Sequence, residues 1–234
     1  MALITNLMHY YKFDGNAKDA VGSNDGTINF ATYTTSGKIN GAYDFDGTND
    51  RIYINSNNLS GKSQITIALW VKFDALISDR ALISNWDVGT QQLILFYDTP
   101  NVLRIIFNGE GEALHSVSAA YTPPIDGSWI YIIAEYDGTN GTVKLFVNNS
   151  QVGTTTSFTA GEVLLIADND LYIRASNDLS RDFDGKIDDT RFYDFALTKK
   201  DISLIYNSGN GTETDLLTLR NRADFFSLSL GAEI

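Results

Sequence analysis

Residues Gln64–Phe73, QITIALWVKF, form the stretch that decides the fold class of this chain. Apolar side chains occupy every second position, at Ile65, Ile67, Leu69, Val71 and Phe73. Successive side chains of a β-strand point to opposite faces, so this alternation predicts a strand of an antiparallel sheet with one face buried.

The same period of two recurs along most of the chain. It is found at Met8–Phe13, Tyr43–Phe45, Arg51–Asn55, Leu93–Tyr97, Leu103–Asn108, Trp129–Asp137, Thr142–Asn148 and Leu171–Ala175. Between these runs stand turn pairs such as Asp46-Gly47, Asp126-Gly127 and Asn140-Gly141. Short alternating strands separated by turn residues predict an all-β fold of two packed sheets rather than alternating strands and helices.

One segment, at about 199–207, is predicted to be a short helix. Thr198 is a suitable N-cap, and Asp201 stands three residues later, where its side chain can complete a capping box. Ile202 and Ile205 supply an apolar face, and Gly209 ends the pattern.

Composition excludes several classes of partner and site. The 234 residues carry a net charge of −12 with a pI near 4.4, which argues against binding to nucleic acid or to an anionic membrane surface. The chain has no cysteine, so it forms no disulfide and no thiolate metal site. The first residues, MALITNLM, lack the features of a signal peptide, and no apolar run approaches the roughly 20 residues of a membrane span.

Three stretches carry a resemblance to a known family. They are Tyr11–Thr27 (YKFDGNAKDAVGSNDGT), Gly41–Ile54 (GAYDFDGTNDRIYI) and Phe183–Tyr206 (FDGKIDDTRFYDFALTKKDISLIY). Taken in order with Ile65–Phe73 and Gly127–Asn148, they resemble the laminin-G-like branch of the concanavalin A-like lectin/glucanase superfamily over about residues 7–207. The resemblance implies a two-sheet antiparallel jelly-roll sandwich with one short C-terminal helix.

We therefore divide the chain into a sandwich domain, residues 1–210, and a C-terminal segment, residues 211–234. The segment contains the apolar pairs Leu216-Leu217 and Phe225-Phe226. Three alternatives remain open for it: a closing strand of the sheet, an arm that docks on a partner subunit and permits homo-oligomers, or a disordered end of the expressed chain.

A structural calcium ion is the predicted cofactor. Aspartate makes up 23 of the 29 acidic residues, which favours loops rich in oxygen ligands, and calcium binds six to eight such oxygens. In the family that this chain resembles, the opening loop and the closing strand meet at the ion. The resemblance implies Asp19 and Asp188 as ligands, with Asn24 offered by the same loop as Asp19.

The closing strand contains a second pattern that bears on this site. Ile187 and Phe192 differ in parity, so a regular strand would place them on opposite faces. If both lie in the core, the chain bulges near Asp188-Asp189, and a bulge can aim side chains at a site. The alternative is a central strand with both faces packed and a solvated pair of aspartates.

Aromatic and planar polar side chains in loops predict a sugar site. Carbohydrate recognition combines stacking on aromatic rings with hydrogen bonds to carboxylates and amides. The candidate residues are Trp86, Asp87, Tyr97, Asp98, Asn177 and Asp178.

Catalysis is not expected. The glucanases of the superfamily use a Glu-x-Asp-x-(x)-Glu strand, and none of the six glutamates begins this pattern. Glu110 and Glu112 bracket Gly111 in a turn-like stretch, and His9 and His115 are interpreted as ordinary strand residues.

The sequence thus favours a non-catalytic carbohydrate-binding or adhesion module that carries calcium and is displayed on a cell surface or a virion. The alternative is a structural virion protein, a capsid decoration or fibre, that uses the sandwich to bind neighbouring proteins. A glycoside hydrolase is the minor alternative.

Overall fold

A computed structural model describes residues 7–55, 58–85, 93–98, 101–166, 170–173, 181–214 and 218–223 of the 234-residue chain. Two antiparallel β-sheets lie face to face, and the side chains between them form one large hydrophobic core. The predicted jelly-roll-like sandwich with a short C-terminal helix is confirmed.

The first sheet has eight strands. In spatial order its continuous path is β13 (Ser150–Ser157), β12 (Thr142–Val147), β11 (Ile130–Asp137), β6 (Gln64–Phe73), β15 (Asp184–Tyr193), β4 (Ala42–Asp46) and β3 (Thr32–Thr34). The remaining strand, β1 (Leu7–Tyr11), pairs with the last part of β15.

The second sheet has seven strands. Their order is β10 (Leu114–Ala120), β9 (Val102–Asn108), β8 (Leu93–Asp98), β7 (Arg80–Ser84), β14 (Leu171–Ile173), β5 (Arg51–Ile54) and β2 (Thr27–Asn29). Two short 3-10 helices, Glu110–Glu112 and Asn207–Gly209, lie outside the sheets.

Strand β6 lies at the centre of the eight-stranded sheet, between β11 and β15. Its five alternating residues are all buried in the core, as the sequence predicted. The other face is buried too, because Ala68 and Trp70 pack beneath the helix that follows β15. The prediction of one buried face was therefore wrong for this strand, since alternation alone does not show that a distant helix covers the second face.

The predicted helix is α1 (Lys199–Tyr206), and its N-terminus has the predicted capping box. The Thr198 hydroxyl accepts a hydrogen bond from the Asp201 N–H, and the Asp201 carboxylate accepts one from the Thr198 N–H at 3.0 Å. The helix ends at Asn207, which adopts the left-handed conformation with φ 49°. Asparagine tolerates this conformation, so the helix stops two residues before the predicted Gly209.

The predicted bulge is present in β15. The pairing register between β15 and β6 shifts between Asp188 and Arg191, and Asp189 has φ 47°. Both Ile187 and Phe192 consequently lie in the core. The bulge turns Asp188, Asp189 and Arg191 toward the outer face, where all three are buried.

The C-terminal segment lies against its own sandwich and forms no strand in its described part. Residues 218–223 are helical. Arg191 donates a hydrogen bond to the Thr212 carbonyl, Glu213 pairs with Lys12 at 2.7 Å, and Leu219 packs beside α1. The alternative of a closing strand is therefore wrong for these residues. No helix in the described ranges is long and apolar enough to cross a membrane.

Candidate functional site

A groove of about 470 Å³ opens on the outer face of the eight-stranded sheet. It lies between the first turn of α1 and the hairpin that joins β12 to β13. Nine residues line it: Lys144, Phe146, Asn149, Ser150, Gln151, Leu197, Thr198, Lys199 and Ile202.

The sheet side of the groove follows from the alternation of β12. Val143, Leu145 and Val147 enter the core, so Lys144 and Phe146 point to the outer face. Gln151 of β13 pairs directly with Phe146 and so lies on the same face. Strand alternation thus places an aromatic ring, a cation and an amide side by side.

The turn between β12 and β13 forms another wall of the groove. Asn148 and Asn149 form a two-residue turn with φ 49° and 67°, a conformation that asparagine accepts more readily than most residues. The Asn149 side-chain oxygen accepts a hydrogen bond from the Ser203 hydroxyl at 2.9 Å. This hydrogen bond joins the hairpin to α1 beside the groove.

The wall of the groove that α1 forms is apolar at the floor and polar at the rim. Leu197 and Ile202 are buried in the cluster beneath α1, whereas Thr198 and Lys199 are exposed at the start of the helix. An apolar floor with an aromatic ring, surrounded by amides, hydroxyls and ammonium groups, can bind a sugar by packing on its C–H face and hydrogen bonding to its hydroxyls.

An ion pair with a buried carboxylate lies beside the groove. The Lys144 Nζ is 2.8 Å from the Glu135 Oε1, and Glu135 is only 1% exposed. Burial raises the pKa of Glu135, and the Lys144 ammonium opposes that shift. Lys144 therefore pairs its charge with Glu135 and also lines the groove.

The predicted calcium ligands lie in separate hydrogen-bond networks. The Asp19 carboxylate accepts the N–H groups of Tyr10 and Val21 and lies 2.8 Å from the His9 Nδ1. A Cβ on Gly22 would lie 2.4 Å from the Asp19 Oδ2, so the glycine of this loop is required by close packing. The Asn24 backbone carbonyl accepts the Tyr11 hydroxyl.

Asp188 accepts the backbone N–H groups of Lys38 and Ile39, each at 2.8 Å, through one carboxylate oxygen. Burial raises the pKa of Asp188 to about 8 despite these hydrogen bonds. One oxygen of Asp188 is thus occupied by N–H donors, whereas its other oxygen, Oδ1, is buried without a hydrogen-bond partner. The described residues contain no group of three or more His, Cys, Asp or Glu suited to a metal, and calcium binding by Asp19 and Asp188 stays a prediction.

The predicted sugar-site residues are only partly described. Trp86, Asp87, Asn177 and Asp178 lie outside the described residues. Tyr97 is 4% exposed and packs edge-to-face on Phe73 in the core, so the prediction that it stacks on a sugar was wrong. Asp98 pairs with Arg104 at 3.3 Å. Leu93, Leu95 and Tyr97 alternate along β8 and all lie in the core. The sequence therefore already indicated that Tyr97 faces inward.

The two histidines are more than ordinary strand residues, since each is buried against a carboxylate. His115 Nε2 lies 2.8 Å from the Glu162 Oε2, and its ring stacks on Phe158 at 3.9 Å between centroids. His9 pairs with Asp19 in the same manner. Each pair joins a histidine of a strand, β1 or β10, to a carboxylate of a loop.

Comparison with known proteins assigns the family. Residues 46–203 match the laminin-G model of the concanavalin A-like lectin/glucanases superfamily, which covers more than half of the chain. The chain belongs to this superfamily. The resemblance found in the sequence is thereby confirmed. No curated protein matches the sequence at a significant level.

Solved structures share the fold of this superfamily member at low sequence identity. Domain 4 of AbnA, a GH43 extracellular arabinanase from Geobacillus stearothermophilus in complex with arabinotriose, is 21% identical with a TM-score of 0.67. The alignment covers 88% of this chain and 98% of that domain. The binding domain of Paraclostridial Mosquitocidal Protein 1 is 14% identical with a TM-score of 0.70, over 87% of this chain and 52% of that one.

The ligand-binding domain of botulinum neurotoxin serotype D, in complex with N-acetylneuraminic acid, is 14% identical with a TM-score of 0.65. The alignment covers 87% of this chain and 51% of that one. This chain thus spans about half the length of the toxin binding domains that it matches. At these identities the likeness shows the fold.

Proposed function

We propose that this protein is a non-catalytic carbohydrate-binding module whose sugar site is the groove between α1 and the β12–β13 hairpin. The observation that carries the proposal is the half-buried Phe146 ring on the groove floor, flanked by the side-chain amides of Asn149 and Gln151. Aromatic rings bind the C–H faces of sugars, and amides donate to and accept from their hydroxyls.

The comparisons support a sugar ligand in general terms. One structural neighbour is named as a complex with arabinotriose and another as a complex with N-acetylneuraminic acid, and several are named as binding domains. The superfamily includes both lectins and glucanases, so the non-catalytic assignment is part of the proposal.

A glycan array with the purified protein tests the function, and variants of the groove test the site. Phe146→Ala removes the aromatic ring from the floor of the groove. We expect this variant to lose binding to the glycans that the native protein binds on the array. Phe30→Ala is the matched control, because Phe30 is an aromatic residue that is 69% exposed outside the groove. A silent array, or equal binding by both variants, would contradict the proposal.

Incubation of a bound glycan with the protein tests the hydrolase alternative. We expect the glycan to stay intact, because the sequence lacks the paired-carboxylate strand of the glucanases. New reducing ends in proportion to protein concentration would show catalysis.

We further propose that the module is displayed on a cell surface or a virion, where glycans of other surfaces are accessible. The alternative, a structural virion protein, uses the same sandwich as a protein-binding unit. Immunogold labelling of intact cells and of purified particles distinguishes these locations from the interior.

Calcium binding stays a prediction from the family resemblance. Occupancy at about 100 times the dissociation constant would stabilise the fold by roughly 2.7 kcal/mol, so melting in millimolar calcium and in EDTA should differ if an ion binds. The buried Asp188 Oδ1 has no hydrogen-bond partner and is the oxygen available to such an ion, so we expect a higher melting temperature in calcium that Asp188→Ala removes. Equal melting temperatures in calcium and in EDTA would contradict the prediction.

A further inference from the structure

We propose that the groove selects acidic sugars, those whose rings carry a carboxylate or a sulfate. This inference rests on the proposed function, because it assigns a ligand class to the same groove. It follows from the charges that line the groove and from those that lie just behind it.

The charge of the groove is opposite to that of the whole chain. The net charge is −12, yet both charged residues that line the groove, Lys144 and Lys199, are cationic. No aspartate or glutamate is among the nine lining residues. A neutral sugar is not attracted by a cationic lining, whereas an acidic sugar is.

The acidic groups behind the groove already have partners. From the sheet, Glu135 is held by Lys144 at 2.8 Å, and Asp137, which also interacts with the Lys144 charge, accepts hydrogen bonds from two side-chain amides at 2.7 Å each. From the helix, the Asp201 carboxylate is held by the Arg220 guanidinium through two contacts of 2.7 Å. Lys199 is exposed at the rim and forms no ion pair with a described residue.

The remaining polar groups fit the rest of a sugar ring. The Asn149 side-chain oxygen is used by Ser203, which leaves its amide nitrogen for the ligand. The Gln151 side-chain nitrogen donates to Thr155 at 2.9 Å, which leaves its oxygen as an acceptor. The groove thus offers the Asn149 amide nitrogen as a donor and the Gln151 oxygen as an acceptor for hydroxyls, beside a cation for the acidic group.

Titration calorimetry with three trisaccharides of one stereochemistry tests the ligand class: galactotriose, its 6-sulfated form and trigalacturonate. We expect at least one acidic trisaccharide to bind about fivefold more tightly than galactotriose at about 0.01 M salt, because an exposed charge pair contributes up to about 1 kcal/mol. At about 1 M salt the preference should disappear.

Lys199→Gln should reduce the affinity for the acidic trisaccharide to that for galactotriose, because it removes the cation at the rim of the groove. Lys18→Gln is the matched control, because it removes the same charge from an exposed loop elsewhere. Equal affinities for all three ligands, or a preference that survives Lys199→Gln, would overturn the acidic class and leave the sugar site itself standing. Binding of none of them, with a silent glycan array, would overturn both proposals.

Discussion

At the scale of single residues, the ion pair between Asp189 and Arg191 links several parts of the molecule. Both side chains are buried, and Arg191 Nη2 lies 2.9 Å from the Asp189 Oδ1. The same guanidinium lies over the Tyr10 ring, 4.4 Å from its centroid, and donates to the Thr212 carbonyl. Arg191 therefore joins β1, β15 and the C-terminal segment.

Arg191→Leu should lower the free energy of unfolding by about 3–5 kcal/mol, because it leaves the Asp189 charge buried without a partner. Arg104→Leu is the control: its pair with Asp98 is partly exposed, and we expect a loss of about 0–1 kcal/mol. Urea denaturation measures both.

The double variant Arg191→Leu, Asp189→Asn should recover part of the loss, since no charge then remains buried. Asparagine also accepts the left-handed conformation of position 189. Equal losses for Arg191→Leu and Arg104→Leu would contradict burial of the Asp189 charge as the cause of the larger loss.

Asp188 predicts a pH dependence of stability. Its pKa is raised by burial from 3.8 to about 8, so the folded state binds an additional proton between these values. The stability that this group contributes is fully present below pH 3.8 and is lost as the pH rises through about 8. Asp188→Asn mimics the neutral carboxyl and should remove this loss.

Urea denaturation of the native protein and of Asp188→Asn across this pH range measures the effect. The free energy of unfolding of the native protein should fall relative to that of the variant by at most about 1.4 kcal/mol per pH unit. A constant difference between the two proteins would show that Asp188 is ionised throughout.

At the scale of elements, α1 depends on its cap and forms one wall of the groove. The Thr198 hydroxyl both accepts from the Asp201 N–H and donates to the Asp201 carboxylate at 2.7 Å. The helix has only eight residues, so propensity alone does not stabilise it. Packing of Ile202 and Ile205 on the sheet supplies the rest.

Thr198→Ala should reduce stability by about 1 kcal/mol, whereas Thr198→Asn should reduce it much less, because asparagine is an equally good N-cap. Thermal denaturation by circular dichroism measures the difference. If the two variants lose the same stability, the hydroxyl contributes through something other than the cap.

At the scale of the whole molecule, the described part of the C-terminal segment completes the outer face of the eight-stranded sheet. A Cβ on Gly211 would lie 2.9 Å from the Trp70 Nε1, so the segment passes directly over the buried indole. Glu213 bonds to Lys12 and Asn40, and Arg220 bonds to Asp201. These contacts are all within one chain.

A variant that ends at Asn210 should therefore melt at a lower temperature than the full chain, because it exposes Trp70 and removes the Thr212 acceptor of Arg191. A variant that ends at Ala223 keeps these contacts and serves as the control. We expect light scattering to show the same oligomeric state for all three. A change of oligomeric state without loss of stability would instead support the arm that docks on a partner.

The sequence by itself determined most of the strands, the turns and the helix with its cap, and it offered the bulge of β15 as one of two alternatives; it did not predict β2, β3 or β7. Each predicted feature depends on neighbouring residues: alternation sets which side chains share a face, Thr198 and Asp201 lie three apart, and the parity of Ile187 and Phe192 requires an inserted residue if both lie in the core. The family could also be recognised, because five such local motifs occur in the right order.

Only the tertiary structure decided where the groove lies and what covers the outer face of β6. The groove joins residues 144–151 to residues 197–202, and no local pattern shows that a helix fifty residues downstream packs on that hairpin. The structure also shows which backbone N–H groups bond to Asp19 and to Asp188, whereas the calcium ion that the sequence predicts between them stays a prediction. Local chemistry fixes the elements, and packing between distant elements fixes the site.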